Sequence, residues 1–205
     1  MAVVNLNKRE IECKIVYYGP GRCGKTTNLE YIHKTYKKQV NGEMLSIDTD
    51  GDRTLFFDFL PMGIGQIKGC DIKVQLYTVP GQVQYRSTRR LVLKGVDGVV
   101  FVADSLKVRR EKNMESLRDL HENLKSMGLN ILRIPLVMQY NKRDLENTAM
   151  PLMPVEQMER DLNRQLKVPS FPASAVDGQG VGTTLTQCLK LTLKHLHREF
   201  KWAQG

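Results

Sequence analysis

Eight residues near the N-terminus constrain this chain more than any others. Gly19-Pro20-Gly21-Arg22-Cys23-Gly24-Lys25-Thr26 fits the spacing G-x-x-x-x-G-K-[ST]. Upstream, residues 11–17 alternate and then turn wholly apolar, as a strand entering a core does. Downstream, Leu29, Ile32 and Tyr36 stand at helical spacing. A strand, a glycine-rich turn and a helix in that order form a phosphate cradle. The glycines let successive N–H groups curl inward, and the free N–H groups and positive end of the following helix face the same point. Gly19, Gly21, Arg22, Cys23, Gly24 and Thr27 make up the cradle with Lys25 and Thr26. Lys25 is placed to reach β- and γ-phosphates. The Thr26 hydroxyl is a ligand for Mg²⁺, a hard cation that prefers oxygen.

The rest of the chain sets this loop in an α/β fold. Residues 98–103 (GVVFVA) and 134–140 (IPLVMQY) are nearly continuous apolar runs, the mark of parallel strands covered on both faces. Residues 55–60 and 71–79 read as strands, and the Gly- and Pro-rich PMGIGQIKG between them as a hairpin turn. Helical patterns cover about 84–94, 109–127, 154–166 and 183–200. The expected architecture is a three-layer P-loop fold, mostly parallel, with one antiparallel edge strand. No repeat or linker divides the chain, so 1–205 is expected to be a single domain.

Composition narrows the function classes. Hydrophobic content of 41% and charged content of 26% are ordinary for a soluble protein, and no apolar run is long enough to span a membrane. There is no signal-peptide core, residue 2 is alanine rather than the glycine that myristoylation needs, and KWAQG is not a prenylation box, so no membrane anchor is expected. The net charge of +9 comes without stacking aromatics among the basic residues or a long basic run, so nucleic acid is not an expected partner. A nucleic-acid-associated nucleotide-binding protein is the alternative that the charge keeps open. Four scattered cysteines form no metal or redox spacing, and Cys13 and Cys188 read as buried thiols.

The phosphate loop does not choose a base. QYNKRDLEN, residues 139–147, does. It follows a strand, and open α/β sheets bind ligands at strand C-terminal ends. Asp144 is an acceptor-only group that can take two hydrogen bonds from guanine N1–H and the 2-amino group, a pair that adenine lacks. Lys142 lies along the base and sugar with its stem packed, and Asn141 braces the phosphate loop. In ASAVDGQG, residues 173–180, the turn at Ser174 and Ala175 can offer N–H groups to guanine O6. The expected ligands are GTP and GDP with Mg²⁺. A nucleotide kinase is disfavoured by NKRD and by the Gly81-Gln82 pair.

The loop at Gly19, TVPGQ at 78–82, NKRD at 141–144 and SAV at 174–176 follow the order of the Ras-like small GTPases. IVYYGPGRCGKTTNLEYI, DRTLFFDFLP, LYTVPGQVQY, LKGVDGVVFVADS and QYNKRDL closely resemble the bacterial gliding-motility, or MglA-type, GTPase family over almost the whole chain. That resemblance implies a GTP/GDP switch controlling cell polarity and motility. It makes Gln82 the residue that orients the attacking water and gives the Gly81 N–H to the γ-phosphate. It places Arg53 in the first switch as an arginine finger in cis, with Thr54 as the second protein ligand to Mg²⁺. A surface pairing of Arg53 with Asp50 or Asp52 is the alternative. One departure stands out: small GTPases carry Asp-x-x-Gly before the glutamine, whereas this chain has Thr78, whose hydroxyl supports Mg²⁺ with less charge. Asp48, Asp50 and Asp52 do not form a calcium loop, because Arg53 and Phe59 stand where glycine and glutamate are needed. The resemblance further implies a roadblock-domain activating protein (MglB-like) and polarity effectors. These would dock on residues 53–60 and 82–90, where Tyr85, Arg86, Arg89 and Arg90 suit an interface. It implies a free monomer, slow turnover without the partner, and a cytoplasmic protein recruited to a cell pole.

Overall fold

The computed structural model describes residues 3–5, 9–40, 43–47, 57–67, 69–82 and 85–202. β1 (Val3–Asn5) and β2 (Glu10–Tyr18) lead into α1 (Lys25–Thr35). β3 (Leu45–Ile47), β4 (Phe57–Ile67) and β5 (Cys70–Thr78) precede α2 (Arg86–Leu93). β6 (Gly98–Asp104), α3 (Arg110–Ser126), β7 (Leu136–Asn141), α4 (Val155–Met158), β8 (Ser170–Pro172) and α5 (Val181–Trp202) follow. The strands form one sheet in the order β3-β4-β5-β2-β6-β7-β8, with β1 paired to the start of β2. β5, β2, β6, β7 and β8 run parallel, whereas β4 runs against β5. The antiparallel strand is one step in from the edge, because the short β3 adds outside it.

The apolar runs are explained by the layers. Ile15 and Tyr17 of β2, with Val100 and Val102 of β6, pack with Leu29 and Ile32 of α1 and Leu185 and Cys188 of α5. Val16 and Tyr18, with Val99 and Phe101, face the other way onto Val92 and Leu93 of α2 and Leu120 and Leu124 of α3. A strand covered on both faces has no side to leave polar. Burial raises the Cys13 thiol to about 12, the Asp97 and Glu12 carboxylates adding to it. The Cys188 thiol rises to about 12 for the same reason.

PMGIGQIKG is not a hairpin turn. β4 runs through Pro61 to Ile67, and the turn closes near Gly69, at φ 76°. Leu60 and Met62 are buried on the core face, and Gly63 N–H donates to Gln39 O at 2.7 Å. Core burial and ladder bonds outweigh the turn propensity of the glycines, which appears instead as a shift in register between Gly63 and Gln66, with Gly65 at φ 97°. The helix expected over 154–166 is a single α-helical turn continued as a π-helix over Glu159–Asn163.

Arg89 is also not where the pattern placed it. It is fully buried rather than exposed on α2. Its guanidinium lies 4.3 Å from the Tyr18 ring centroid, donates to Ser116 Oγ at 2.8 Å, and stands 3.1 Å from Asp119 Oδ2. The Tyr18 hydroxyl donates to the same carboxylate and accepts from Asn123. Burial pushes the Tyr18 hydroxyl well up, with Arg89 opposing. A seven-residue reach from Gln82 therefore ends inside the protein, tying α2 to α3 and β2. Leu60, in the other segment expected to dock partners, is buried too. Removing one partner of a buried ion pair strands the other. Asp119→Ala is therefore expected to lower unfolding stability in urea by about 3–5 kcal/mol. Arg86→Ala, which removes a half-exposed guanidinium paired with Glu122 and, at 3.5 Å, with Asp119, should cost less. Equal small effects from both would show that Arg89 does not depend on Asp119.

Candidate functional site

The order of the sheet reverses at β2, whose neighbours β5 and β6 both follow it in sequence. A crevice opens at such a point beyond the strand C-terminal ends, and there the chain places residues 19–26. Gly24 caps α1 in the left-handed region, at φ 97°. A Cβ there would run into the Asn141 side chain, and one on Gly19 would run into Val102 O. Both positions need glycine for approach as well as for φ.

Lys25 folds back over the loop. Its Nζ donates to Pro20 O at 2.8 Å and to Gly19 O at 3.3 Å. Burial pushes its ammonium down from the usual lysine range, while the Cys23 sulfur opposes that. Burial pushes the Cys23 thiol up, with Lys25 opposing. Three further cations or donors meet the loop from outside. Arg109 Nη2 donates to Gly21 O at 2.5 Å, Arg89 Nη2 reaches Gly19 O at 3.4 Å, and Asn141 Nδ2 donates to Cys23 O at 2.7 Å. Together these donors engage the carbonyls of Gly19, Pro20, Gly21 and Cys23.

β7 holds the loop in place through two amides. Gln139 Nε2 donates to Asn28 Oδ1 at 3.0 Å, and Asn28 Nδ2 donates to Gly24 O at 2.8 Å. Asn141 does more, because its Oδ1 also accepts from Ala175 N at 2.8 Å. One side chain thus joins the phosphate loop, the end of β7 and the turn after β8. A cavity of about 220 Å³ results. One side is lined by Arg22, Gly24, Lys25, Thr26 and Thr27, the other by Asn141, Lys142, Asp144, Ala175 and Val176. A groove of about 890 Å³ lies elsewhere, between Lys94, Leu129 and Arg133 near the N-terminal ends of β6 and β7. It is larger but holds none of the loop or NKRD residues, and the smaller cavity is the one that the site chemistry occupies.

Lys142 enters the left-handed region at φ 71° and its Nζ donates to Asp104 Oδ2 at 2.7 Å. Asp104 is fully buried and also lies 3.7 Å from Arg109 Nε, so it orients both cations. Asp144 stands exposed at the cavity mouth. Ser174 and Ala175 are buried, and their N–H groups have protein acceptors: Ser174 N donates to Gln179 O and Ala175 N to Asn141 Oδ1. The Ser174 hydroxyl turns to Asp177 at 2.9 Å. The pair builds the turn in this structure.

Gly81 brings the segment after β5 against the loop: a Cβ on it would run into Gly21 Cα. Gln82 follows it, exposed, in the turn that enters α2. Thr78 is buried at the end of β5, and its hydroxyl donates to Asp58 of β4 at 2.8 Å. Arg53, Thr54 and the acidic run at 48–52 lie outside the described residues. The donor set fits a nucleotide diphosphate or triphosphate with Mg²⁺: a glycine cradle, a buried ammonium and a hydroxyl oxygen at Thr26. Asp58, Asp104 and Arg109 were missed in the sequence as parts of this site, and Arg89 was assigned to the surface instead. Asp104 closes the apolar run GVVFVA, a position where a carboxylate is itself a signal. Arg109 gave none, because a basic residue at the start of a helical pattern reads as solvated.

Residues 1–192 match the ADP-ribosylation factor family, Arf. The chain is 52% identical to the Mutual gliding-motility protein MglA of Myxococcus xanthus (strain DK1622), over 97% of this chain and 99% of that protein. It is 27% identical to human ADP-ribosylation factor-like protein 4C over 88% of this chain and 86% of that protein. It is 32% identical to Intraflagellar transport protein 22 of Chlamydomonas reinhardtii over 50% of each.

Asn141→Ala leaves Cys23 O and Ala175 N without their partner. Calorimetric titration with GDP is expected to show affinity lowered by about 10–100-fold, the equivalent of one or two unmade buried hydrogen bonds. Affinity within twofold of the parent chain would mean that the loop holds its shape unaided.

Proposed function

We propose that this chain, which belongs to the ADP-ribosylation factor family of small Ras-like GTPases, works as a GTP/GDP molecular switch in bacterial gliding motility and cell polarity. The observation that carries the reading is the seam at Asn141, which sets the phosphate cradle and Asp144 at two ends of one cavity. The motility role is supported by similarity to the Myxococcus protein, whose name states it.

As a small GTPase, the chain hydrolyses GTP. In our reading the Lys25 ammonium leaves its loop carbonyls for the β- and γ-phosphates, and Asp144 accepts two hydrogen bonds from guanine. Lys142, aimed by Asp104, packs beside the base. Mg²⁺, held by Thr26 and Thr54, supplies charge neutralisation to the phosphates. Gln82 orients the attacking water and Arg53 stabilises the developing negative charge. Residues 1–205 act as one domain. GTP orders the two switch segments, an effector reads them, and hydrolysis releases them.

A roadblock-domain activating protein and polarity effectors are the partners that we infer. Arg86 and Arg90, exposed on α2, and the exposed Gln82 support docking there, whereas Arg89 is committed to the core. Among the described residues no helix is long and apolar enough to cross a membrane. We infer a cytoplasmic monomer that is recruited to a cell pole.

Multiple-turnover hydrolysis with excess Mg²⁺ tests the reading. GTP turnover is expected on the order of 10⁻⁴ s⁻¹ for the chain alone, with no ATP turnover, and the acceleration by the activating partner is expected to be lost in Gln82→Ala and Arg53→Ala at unchanged GDP affinity. ATP preferred over GTP would overturn the assignment of Asp144. The base contact has its own check. Asp144→Asn exchanges one acceptor for a donor, which suits a base with a carbonyl in place of the 2-amino group. The variant is expected to prefer xanthosine over guanosine nucleotides, and retained GTP preference would place base recognition elsewhere.

A further inference from the structure

A phosphate-loop threonine that ligates Mg²⁺ is normally backed by a carboxylate at the end of the strand beside it. In this chain that position is Thr78, a hydroxyl with no formal charge. The structure places a carboxylate at the same spot from a different strand. Asp58 belongs to β4, which pairs antiparallel with β5; Phe59 opposes Tyr77, so Asp58 lies across from Thr78. Its Oδ2 accepts from Thr26 Oγ1 at 2.7 Å and from Thr78 Oγ1 at 2.8 Å. Its N–H donates in turn to Thr78 Oγ1 at 2.9 Å.

The chemistry of each group follows from this geometry. A threonine hydroxyl has one proton and two acceptor lone pairs. Thr26 gives its proton to Asp58, so its lone pairs are turned to whatever else approaches the oxygen. A metal-ligating group whose proton is taken by a carboxylate is a better donor to the metal, and such outer partners fix its orientation. Thr78 accepts from the Asp58 backbone and donates to the Asp58 side chain, so it pins one rotamer of that carboxylate. Asp58 is 8% exposed. A carboxylate so far from water calls for compensation by donors or a cation. Its field already reaches the Lys25 ammonium, where it acts against the effect of burial.

The geometry points to Asp58 as the residue that supplies the negative charge of the Mg²⁺ site, with Thr78 as the residue that positions it. The carboxylate has moved one strand outward across the β4–β5 ladder, and the threonine left behind aims it. This rests on the reading of Thr26 as a Mg²⁺ ligand in a GTP switch. Asp58 acts on the cation through Thr26 and through its charge; it is a positioning residue for the metal site rather than a group that touches the reacting phosphate.

The test reads metal affinity without turnover. Each variant is loaded with fluorescent GDP, and the release rate is followed across buffered free Mg²⁺. In the parent chain, release slows as Mg²⁺ rises, with a definite midpoint. In Asp58→Asn, which keeps shape and removes charge, the midpoint is expected about 10–100-fold higher in Mg²⁺, with release in EDTA unchanged. Thr78→Val shifts it in the same direction by less. The exchange Asp58→Thr with Thr78→Asp restores the parent midpoint. A parent midpoint retained in Asp58→Asn overturns the proposal while leaving the GTP switch standing. Should Asp58→Asn not fold, a parent midpoint in Thr78→Val overturns it equally. A parent chain that holds no GDP at any Mg²⁺ concentration overturns the switch reading itself, which separates the two failures.

Discussion

The side-chain amide of Asn141 joins three segments that are far apart in the chain. It donates to Cys23 O in the phosphate loop and accepts from Ala175 N after β8, while its own backbone ends β7. An amide is suited to this because it carries donors and an acceptor on one plane and no charge to desolvate. Gly24 leaves the space that the amide fills. The cavity exists because these two residues agree, and Asp144, three positions on, is carried to its mouth by the same short stretch.

Around that seam the charges are arranged to keep the loop curled. Arg109 and Lys25 donate to loop carbonyls, and Arg89 approaches from below through its buried contacts with Asp119 and Ser116. Arg89 also belongs to α2, which follows Gly81 and Gln82 directly. The entry to α2 is thus held by Gly81 against Gly21 and by Arg89 in the core. On α2, Arg86 and Arg90 are exposed.

Much of this was legible before the fold. The parallel strands were readable because both their faces are buried, which writes an unbroken apolar run into GVVFVA and LVMQY. The phosphate loop and NKRD were readable because their chemistry demands particular residue types at a fixed spacing. The segment 61–69 was misread because its glycines and proline favour a turn locally, while Met62 and the ladder to β5 favour a strand at longer range. Arg89 was misread because helical spacing sees a polar side chain and assigns it to water; its partners Tyr18, Ser116 and Asp119 lie on other elements. The turn at Ser174 was placed correctly in the chain, yet its N–H groups answer to Asn141 and Gln179, which no local pattern shows.

The sequence by itself determined the fold class, the nucleotide loop, the guanine motif and the order in which they occur. Those features depend on periodicity and on contacts within a few residues, which a linear pattern records. The tertiary structure decided which side chains complete the site. Asp58, Asp104, Arg89 and Arg109 reach it across the sheet or from neighbouring helices, and a carboxylate one strand away stands where the chain has Thr78. Electrostatic partnership depends on distance in space and on exclusion of water, and neither is written in the spacing of residues along the chain.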